Sequence, residues 1–291
     1  MKCVISGGTG FLGRRVVERL KQDGHQVGVW SRKAAAPYNW DPLSGAPSPQ
    51  SVDGADVVIH LAGETVAQRW NDKVKQRIRD SRVRGTHSLV DTIAAVQNRP
   101  KVLVSASAIG FYGDRGDEIL TETSAGGSGF LVDVCREWES EADRAQALGL
   151  RVVKLRIGFV LGKEGGAMAQ MLPAFRLGVG GRLGSGQQWM PWIHAADVVE
   201  MVAHAATNAG VSGVWNATSP NPVRNSDFTR ELAHAVHRPA IFPVPPFALK
   251  ILFGELAQHM MDSARVIPEA ALKAGFRFRY PEIGAALREL V

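Results

Sequence analysis

Three glycines in VISGGTGFLGRRV, Gly7, Gly10 and Gly13, are the residues of this 291-residue chain best suited to hold a ligand by backbone alone. They follow a short apolar run and open an amphipathic one, the strand–turn–helix context that a dinucleotide pyrophosphate needs. Gly7 permits the tight turn, Gly10 lets the backbone approach the pyrophosphate, and Gly13 lets the helix lie close on the strand. Thr9, Phe11 and Leu12 complete the turn, and free N–H groups at the helix start face the anion. The second strand ends in VWSRK, so Ser31 and Arg32 stand where an NAD-specific site carries an acid for the ribose hydroxyls. An arginine there meets a 2′-phosphate through charge-assisted hydrogen bonds of about 1.5–3 kcal/mol each. The predicted cofactor is NADP, against the plainer reading of Arg32 as a solvated loop residue.

The elements that position these groups alternate. KCVIS predicts a strand, residues 11–20 a helix and HQVGVW a second strand, followed by an irregular Pro- and Ser-rich connection over 33–51. DVVIHLAG is a buried strand, residues 69–85 a basic helix with Val74 and Ile78 on its inner stripe, and SLVDTIAAV part of another helix. KVLVSAS predicts a strand, residues 131–148 a helix and RVVKLRIGFVLG a further strand. Near-continuous apolar strands alternating with helices give an α/β, Rossmann-type doubly wound parallel sheet. The periodicity breaks in LGVGGRLGSGQQWMPWIH, part of a loop insertion near 163–190. Residues 1–216 then read as the cofactor domain and 217–291 as a smaller C-terminal α/β lobe on the substrate side.

Hydrophobic residues make up 45% of the chain and charged residues 21%, ordinary values for a globular protein with a sizeable core. No apolar run approaches the roughly 20 residues of a membrane span, and no signal-peptide pattern opens the chain. Two cysteines, Cys3 and Cys135, are too few for a disulfide framework. These features predict a cytoplasmic protein with no membrane association. Part of the net charge of +6 sits in RWNDKVKQRIRDSRVRG, either a solvated helix face or an attraction for a polyanionic ligand. RNP-like aromatics, zinc-finger spacing and a helix-turn-helix pattern are missing, which argues against nucleic acid, and no His/Cys cluster has metal spacing. The hydrolase elbow G-x-S-x-G is absent, and GKE at 162–164 lacks the Ser or Thr of a P-loop.

GGTGFLG, HLAG, VSASAIGFYG, LRIGFVLG, WIHAADVV and WNATSPNPVRNSDF occur in the order of motifs in extended short-chain dehydrogenase/reductases. Over nearly its whole length the chain resembles the NAD-dependent epimerase/dehydratase group. HLAGE followed by RW, SASAIGFYGD, GSGQQWMPWIH and GFRFRYPEIGAAL resemble, more narrowly, an atypical epimerase-like subgroup with a C-terminal domain of unknown function. The resemblance implies that Leu61, Ala62 and Gly63 line the cofactor and that Asp41 in NWDP lies by the adenine. It also implies that Ser107, closing VLVSAS, is the hydroxyl that meets the substrate, with Ser105 before it on the cofactor side. Arg82 stands where the family often has Asn, and could hold an anion.

The family's proton chemistry uses Tyr and, one helical turn on, a Lys that lowers the phenol pKa. Here Leu131 and Cys135 occupy those places, and neither can transfer that proton. Tyr112 in IGFYGD either brings a phenol to the same space or packs under the loop, and Glu64 beyond HLAG either acts as a general acid or base, if burial raises its pKa, or hydrogen-bonds within the site. Gln187, Gln188 and Trp192 are candidates for substrate contact, Asp197 reads as an N-cap, and His194 as a structural histidine. The expected function is an NADP-dependent oxidoreductase or epimerase-like enzyme acting on a small hydroxyl or carbonyl compound, with nucleotide-sugars the class the resemblance implies. The competing reading is a non-catalytic NADPH-binding sensor. Either way the partner is a small molecule, and the chain is a monomer or homodimer.

Overall fold

The structure, a computed structural model, describes residues 1–32 and 38–291. Its first part runs β1 (Lys2–Ser6), α1 (Phe11–Gln22), β2 (Gln26–Ser31), β3 (Tyr38–Asn39), α2 (Pro49–Val52), β4 (Val57–His60), α3 (Asp72–Ala95) and β5 (Val102–Ala108). There follow β6 (Ile119–Leu120), α4 (Phe130–Asp143), β7 (Arg151–Ile157), β8 (Phe159–Leu161), α5 (Gly166–Arg176), β9 (Trp189–Met190), β10 (Trp192–His194) and α6 (Ala195–Thr207). The last part holds β11 (Gly213–Ala217), β12 (Val223–Arg224), α7 (Asn225–Ala235), α8 (Pro246–Phe253), α9 (Leu256–His259), β13 (Arg265–Val266), α10 (Glu269–Lys273) and α11 (Ile283–Leu290).

Seven parallel strands form the central sheet in the order β11-β7-β5-β4-β1-β2-β3. The chain works outward from β1 to β3, then returns to lay β4 on the other side of β1. That switch point opens a crevice at the carboxyl ends of β1 and β4. Alternate side chains of each strand feed opposite faces. Ile5, Ile59 and Val153 pack with Val16 and Leu20 of α1 and Val198 and Val202 of α6. Val4, Val58 and Leu103 pack with Leu89 and Ile93 of α3 and Ala142 of α4. The apolar runs are continuous because both faces are covered.

Several elements differ from the sequence reading, among them β3 and α2 in the stretch read as irregular and the helix α5 within the expected loop insertion. The basic stretch and SLVDTIAAV form one 24-residue helix, α3, capped by Asn71, whose Oδ1 accepts from Val74 N at 2.9 Å. Gly85 does not interrupt it, because that glycine gives room to Pro42, whose Cβ would lie 2.7 Å from an added Cβ. RVVKLRIGFVLG splits at Gly158, where the backbone of Pro191 leaves no room for a side chain, and β8 pairs with β10. The helix over 131–148 ends as α4 at Asp143 and tightens into a 3₁₀ turn, Arg144–Leu148.

Elements beyond residue 217 share cores with the rest. Phe228, Leu232, Ile283 and Leu287 pack with Leu161, Met168, Leu172 and Trp192. Asp197 takes part in this docking and is not the N-cap: its carboxylate accepts from Arg279 N at 2.6 Å and Tyr280 N at 3.1 Å. His194 caps α6 instead, with Nδ1 accepting from Ala196 N at 3.2 Å and its ring 4.1 Å from that of Tyr280. No helix among the described residues is long and apolar enough to cross a membrane.

Candidate active site and cofactor cleft

The glycine turn is built by close approach. Gly7 has φ +71°, a left-handed backbone that favours glycine, and an added Cβ would lie 2.9 Å from the Leu61 carbonyl oxygen. Gly10 N donates to Gly7 O at 2.9 Å. A Cβ on Gly13 would overlap the Gly7 carbonyl, so the start of α1 rests directly on the turn. A cleft of about 190 Å³ opens over it and gathers Gly7, Thr9, Gly10, Ser31, Arg32, Asp41, Leu61, Ala62, Gly63 and Glu64. These segments come from the ends of β1, β2 and β4 and from the loop after β3. A glycine cradle beside an exposed guanidinium, with no acid at the end of β2, fits a phosphorylated dinucleotide.

Three residues expected at the cofactor turn their side chains elsewhere. The Phe11 ring fills the space left by Gly162 and Gly165, with the Arg15 guanidinium 4.8 Å from its centre. Leu12 packs against the core. Ser105 is buried in β5, its hydroxyl donating to Ala106 O at 3.1 Å. Arg82 works from behind the cleft wall, donating to the carbonyls of Glu64 at 3.0 Å and Ile78 at 3.2 Å. It lies over Trp138, and burial lowers its pKa. Trp30 and Trp40 also line the cleft, in edge contact at 5.5 Å. Sequence reasoning missed them, since an aromatic after or within a strand reads equally well as core.

Beneath the cleft, His60 is fully buried. Its Nδ1 is 2.6 Å from Ser6 Oγ, its Nε2 is 3.1 Å from Thr86 Oγ1, and Trp40 stacks on its ring. Burial, helped by the charge of Arg82, pushes its pKa down to about 3. The unfolded chain binds a proton near pH 6.5 that the folded chain refuses, so stability falls as pH drops through that window. Wild type is expected to lose about 2 kcal/mol more than His60→Gln between pH ~7 and ~5 in urea unfolding. Parallel pH dependences would contradict the assignment.

Glu64 lies in the cleft, but not as a carboxyl with a raised pKa. Burial pushes it up, yet hydrogen bonds from Gln68 at 3.3 Å and Arg77 at 3.2 Å, with the charges of Arg77 and Arg32, bring it below the usual range. It is a carboxylate beside the cations, not a poised proton donor.

The second cluster sits at the end of β5. Ser107, 3% exposed, donates to Glu139 Oε1 at 2.6 Å. Arg156 on β7 grips the same carboxylate, Nε to Oε1 at 2.8 Å and Nη2 to Oε2 at 2.9 Å. Its Nη1 donates to Tyr112 Oη at 3.0 Å, and its guanidinium carbon lies 3.4 Å from the centre of the Phe111 ring. Tyr112 is fully buried, its hydroxyl between Asn216 Oδ1 at 2.7 Å and Thr121 O at 2.9 Å. Burial leads the rise of its pKa, against the pull of Arg156. The structure therefore favours the packed reading of Tyr112 over a phenol that swings toward the substrate.

Leu131 and Cys135 do line the face of α4 that turns toward this cluster, near Gly110. The Cys135 thiol donates to Ala108 O at 3.7 Å and is pushed up to about 12 by burial, so it stays protonated. Glu139 and Arg156 are the residues missed. Leu131, Cys135 and Glu139 are spaced by four along α4, one face of a helix, and Arg156 is a charge inside an apolar strand, which needs a partner.

The loop candidates divide. Gln187 is exposed, its carbonyl accepting from Arg224. Gln188 is buried, with Nε2 donating to Leu183 O at 3.2 Å and Oε1 unpartnered among the described residues. Trp192 does not face a ligand. It is fully buried in the core, donating to Asn221 O at 3.0 Å. Among the described residues no group of acids, histidines and cysteines could hold a metal ion.

Comparison with known proteins agrees with this architecture. Residues 3–217 match the model of the NAD dependent epimerase/dehydratase family, and residues 244–290 match the domain of unknown function DUF1731. The chain is 41% identical over 302 residues to the chloroplastic SDR39U1 homolog of Arabidopsis thaliana, an epimerase family protein, covering 100% of this chain and 87% of that one. The crystal structure of human epimerase family protein SDR39U1 (isoform 2) with NADPH superposes with a TM-score of 0.90 at 34% identity, covering 100% and 99% of the two chains. A nucleoside-diphosphate sugar epimerase from Corynebacterium glutamicum superposes with a TM-score of 0.83 at 37% identity, over 100% of this chain and 58% of that one. With the glycine cradle at the sheet's switch point and a family match spanning most of its length, the chain belongs to the NAD-dependent epimerase/dehydratase family.

Proposed function

We propose that the chain is an NADP-dependent oxidoreductase or epimerase-like enzyme acting on a small hydroxyl or carbonyl compound. The observation that carries the cofactor choice is Arg32, which shares the cleft with the glycine turn while β2 ends without an acid. Gly7, Gly10 and the first turn of α1 would hold the pyrophosphate, Arg32 the 2′-phosphate, and Leu61, Ala62 and Gly63 the adjoining edge. Bound there, NADP supplies a hydride acceptor, and in its reduced form a donor. Binding of NADPH by the human relative supports the same choice.

Ser107 is the group proposed to meet the substrate oxygen. Because its hydroxyl hydrogen is donated to Glu139, its lone pairs are free to accept from a substrate hydroxyl. Glu139, fixed by two bonds from Arg156, ends that short proton path, and Tyr112 positions Arg156. Nucleotide-sugars are the first compounds to screen, following the name of the Corynebacterium neighbour. In a screen that follows NADP reduction by hydroxyl compounds, Ser107→Ala is expected to lower turnover about 100-fold or more with cofactor affinity unchanged. A second reading, a non-catalytic NADPH-binding regulatory protein, is favoured by the burial of Ser107 and Tyr112 and by Leu131 and Cys135 at the usual pair. NADPH binding with no carbonyl or nucleotide-sugar turned over would decide for it.

A further inference from the structure

Far from the cleft residues in sequence, one face of the molecule is unusually apolar. Leu177 and Val179 follow α5, and Ile241, Phe242, Phe247, Ile251 and Leu252 run through α8 and the segment before it, each 63–77% exposed. The two segments are laced together. Val244 N donates to Arg182 O at 2.8 Å, Gly184 N donates to Val244 O at 3.0 Å, and the Gly181 backbone abuts the Phe242 carbonyl. Exposed side chains of this size on two segments laced together mark an interaction surface.

Within these two segments the charge has one sign. Over residues 176–184 and 238–253 every charged residue is basic: Arg176, Arg182, Arg238 and Lys250. All are exposed, and none forms an ion pair with a carboxylate among the described residues, whereas Arg230 on α7 is held by Asp227 at 2.8 Å. Arg182, Arg230, His234 and Arg238 line a pocket of about 300 Å³, with the apolar side chain of Ile241 at its edge. Thr229, 4% exposed, also lines it, and its hydroxyl has no partner among the described residues.

We propose that this face docks on an anionic lipid bilayer, its apolar side chains entering the headgroup layer and the arginine pocket taking a lipid phosphate. The chemistry is that of interfacial binding, in which buried apolar area and attraction to anionic lipid act together. A second copy packed through the same patch would set these cations against themselves across a two-fold axis. The apolar side chains also project outward, while the pocket beside them is polar, which suits insertion better than the grip of a peptide helix.

The test is co-sedimentation of the full chain with vesicles of phosphatidylcholine alone or mixed with phosphatidylglycerol. Binding is expected only to the mixed vesicles and is reduced by salt. Exchanging Phe242→Ser together with Ile251→Ser lowers the partition about tenfold or more, and Arg238→Gln lowers it about fivefold. NADPH binding is unchanged in every variant, which shows that they remain folded. Equal binding to both vesicle types, or binding indifferent to these exchanges, overturns the proposal. So does a dimer in sedimentation velocity that the Phe242→Ser, Ile251→Ser exchange abolishes, with no vesicle binding, because the face then joins two copies. Capture of soluble polyglutamate without any vesicle binding overturns it as well.

Discussion

Replacing Arg156 by Met is expected to cost the fold about 3–5 kcal/mol, the usual consequence of leaving one member of a buried ion pair behind. Arg156 is 4% and Glu139 7% exposed, so solvent cannot take over what the guanidinium supplies. The variant loses two hydrogen bonds to Glu139, one to Tyr112 and the stacking on Phe111. Among the described residues Glu139 would keep only Ser107 as a donor, and a carboxylate so placed carries most of its desolvation cost uncompensated. Removing both charges, in Glu139→Leu with Arg156→Met, is expected to recover much of the loss, since well-packed apolar groups often replace a buried pair at little cost. Urea unfolding of the two single variants and the double one checks this. A single variant within about 1 kcal/mol of wild type would mean that the pair is not a structural determinant.

The frame was readable from pattern, while the site was readable only in part. Continuous apolar strands announced a two-sided sheet, and the glycines marked the turn because no other residue fits beside Leu61 and under α1. The basic stretch and SLVDTIAAV read as two helices where α3 is one, with Gly85 inside it in contact with Pro42. Tyr112 left two readings open, a catalytic phenol or a packed one. A tyrosine near the site suggests chemistry, but its hydroxyl is consumed by Arg156, Asn216 and Thr121, which lie far apart in sequence. Glu64 turned on a balance that sequence does not show, burial against the cations of α3 and Arg32. Trp192 sits where a loop was expected and is core because β8, α5 and α7 close over it.

Arg32→Glu is expected to weaken NADPH binding about 100-fold or more and to leave NADH binding within a few-fold of wild type. Charge-assisted hydrogen bonds of about 1.5–3 kcal/mol each are lost, and a new carboxylate would face the 2′-phosphate. Glu64 already stands in that cleft, so the exchange leaves two acids where a dianion must sit. Since Arg32 is exposed, the wild-type preference should also shrink as salt rises.

The most direct test of the account is fluorescence titration of wild type and Arg32→Glu with NADPH and, separately, NADH. The cleft as described predicts tight NADPH binding and weak NADH binding in wild type, with the preference lost in the variant. Equal affinities for the two cofactors in wild type, or a preference that survives Arg32→Glu, would contradict the assignment of Arg32 as the reader of the 2′-phosphate.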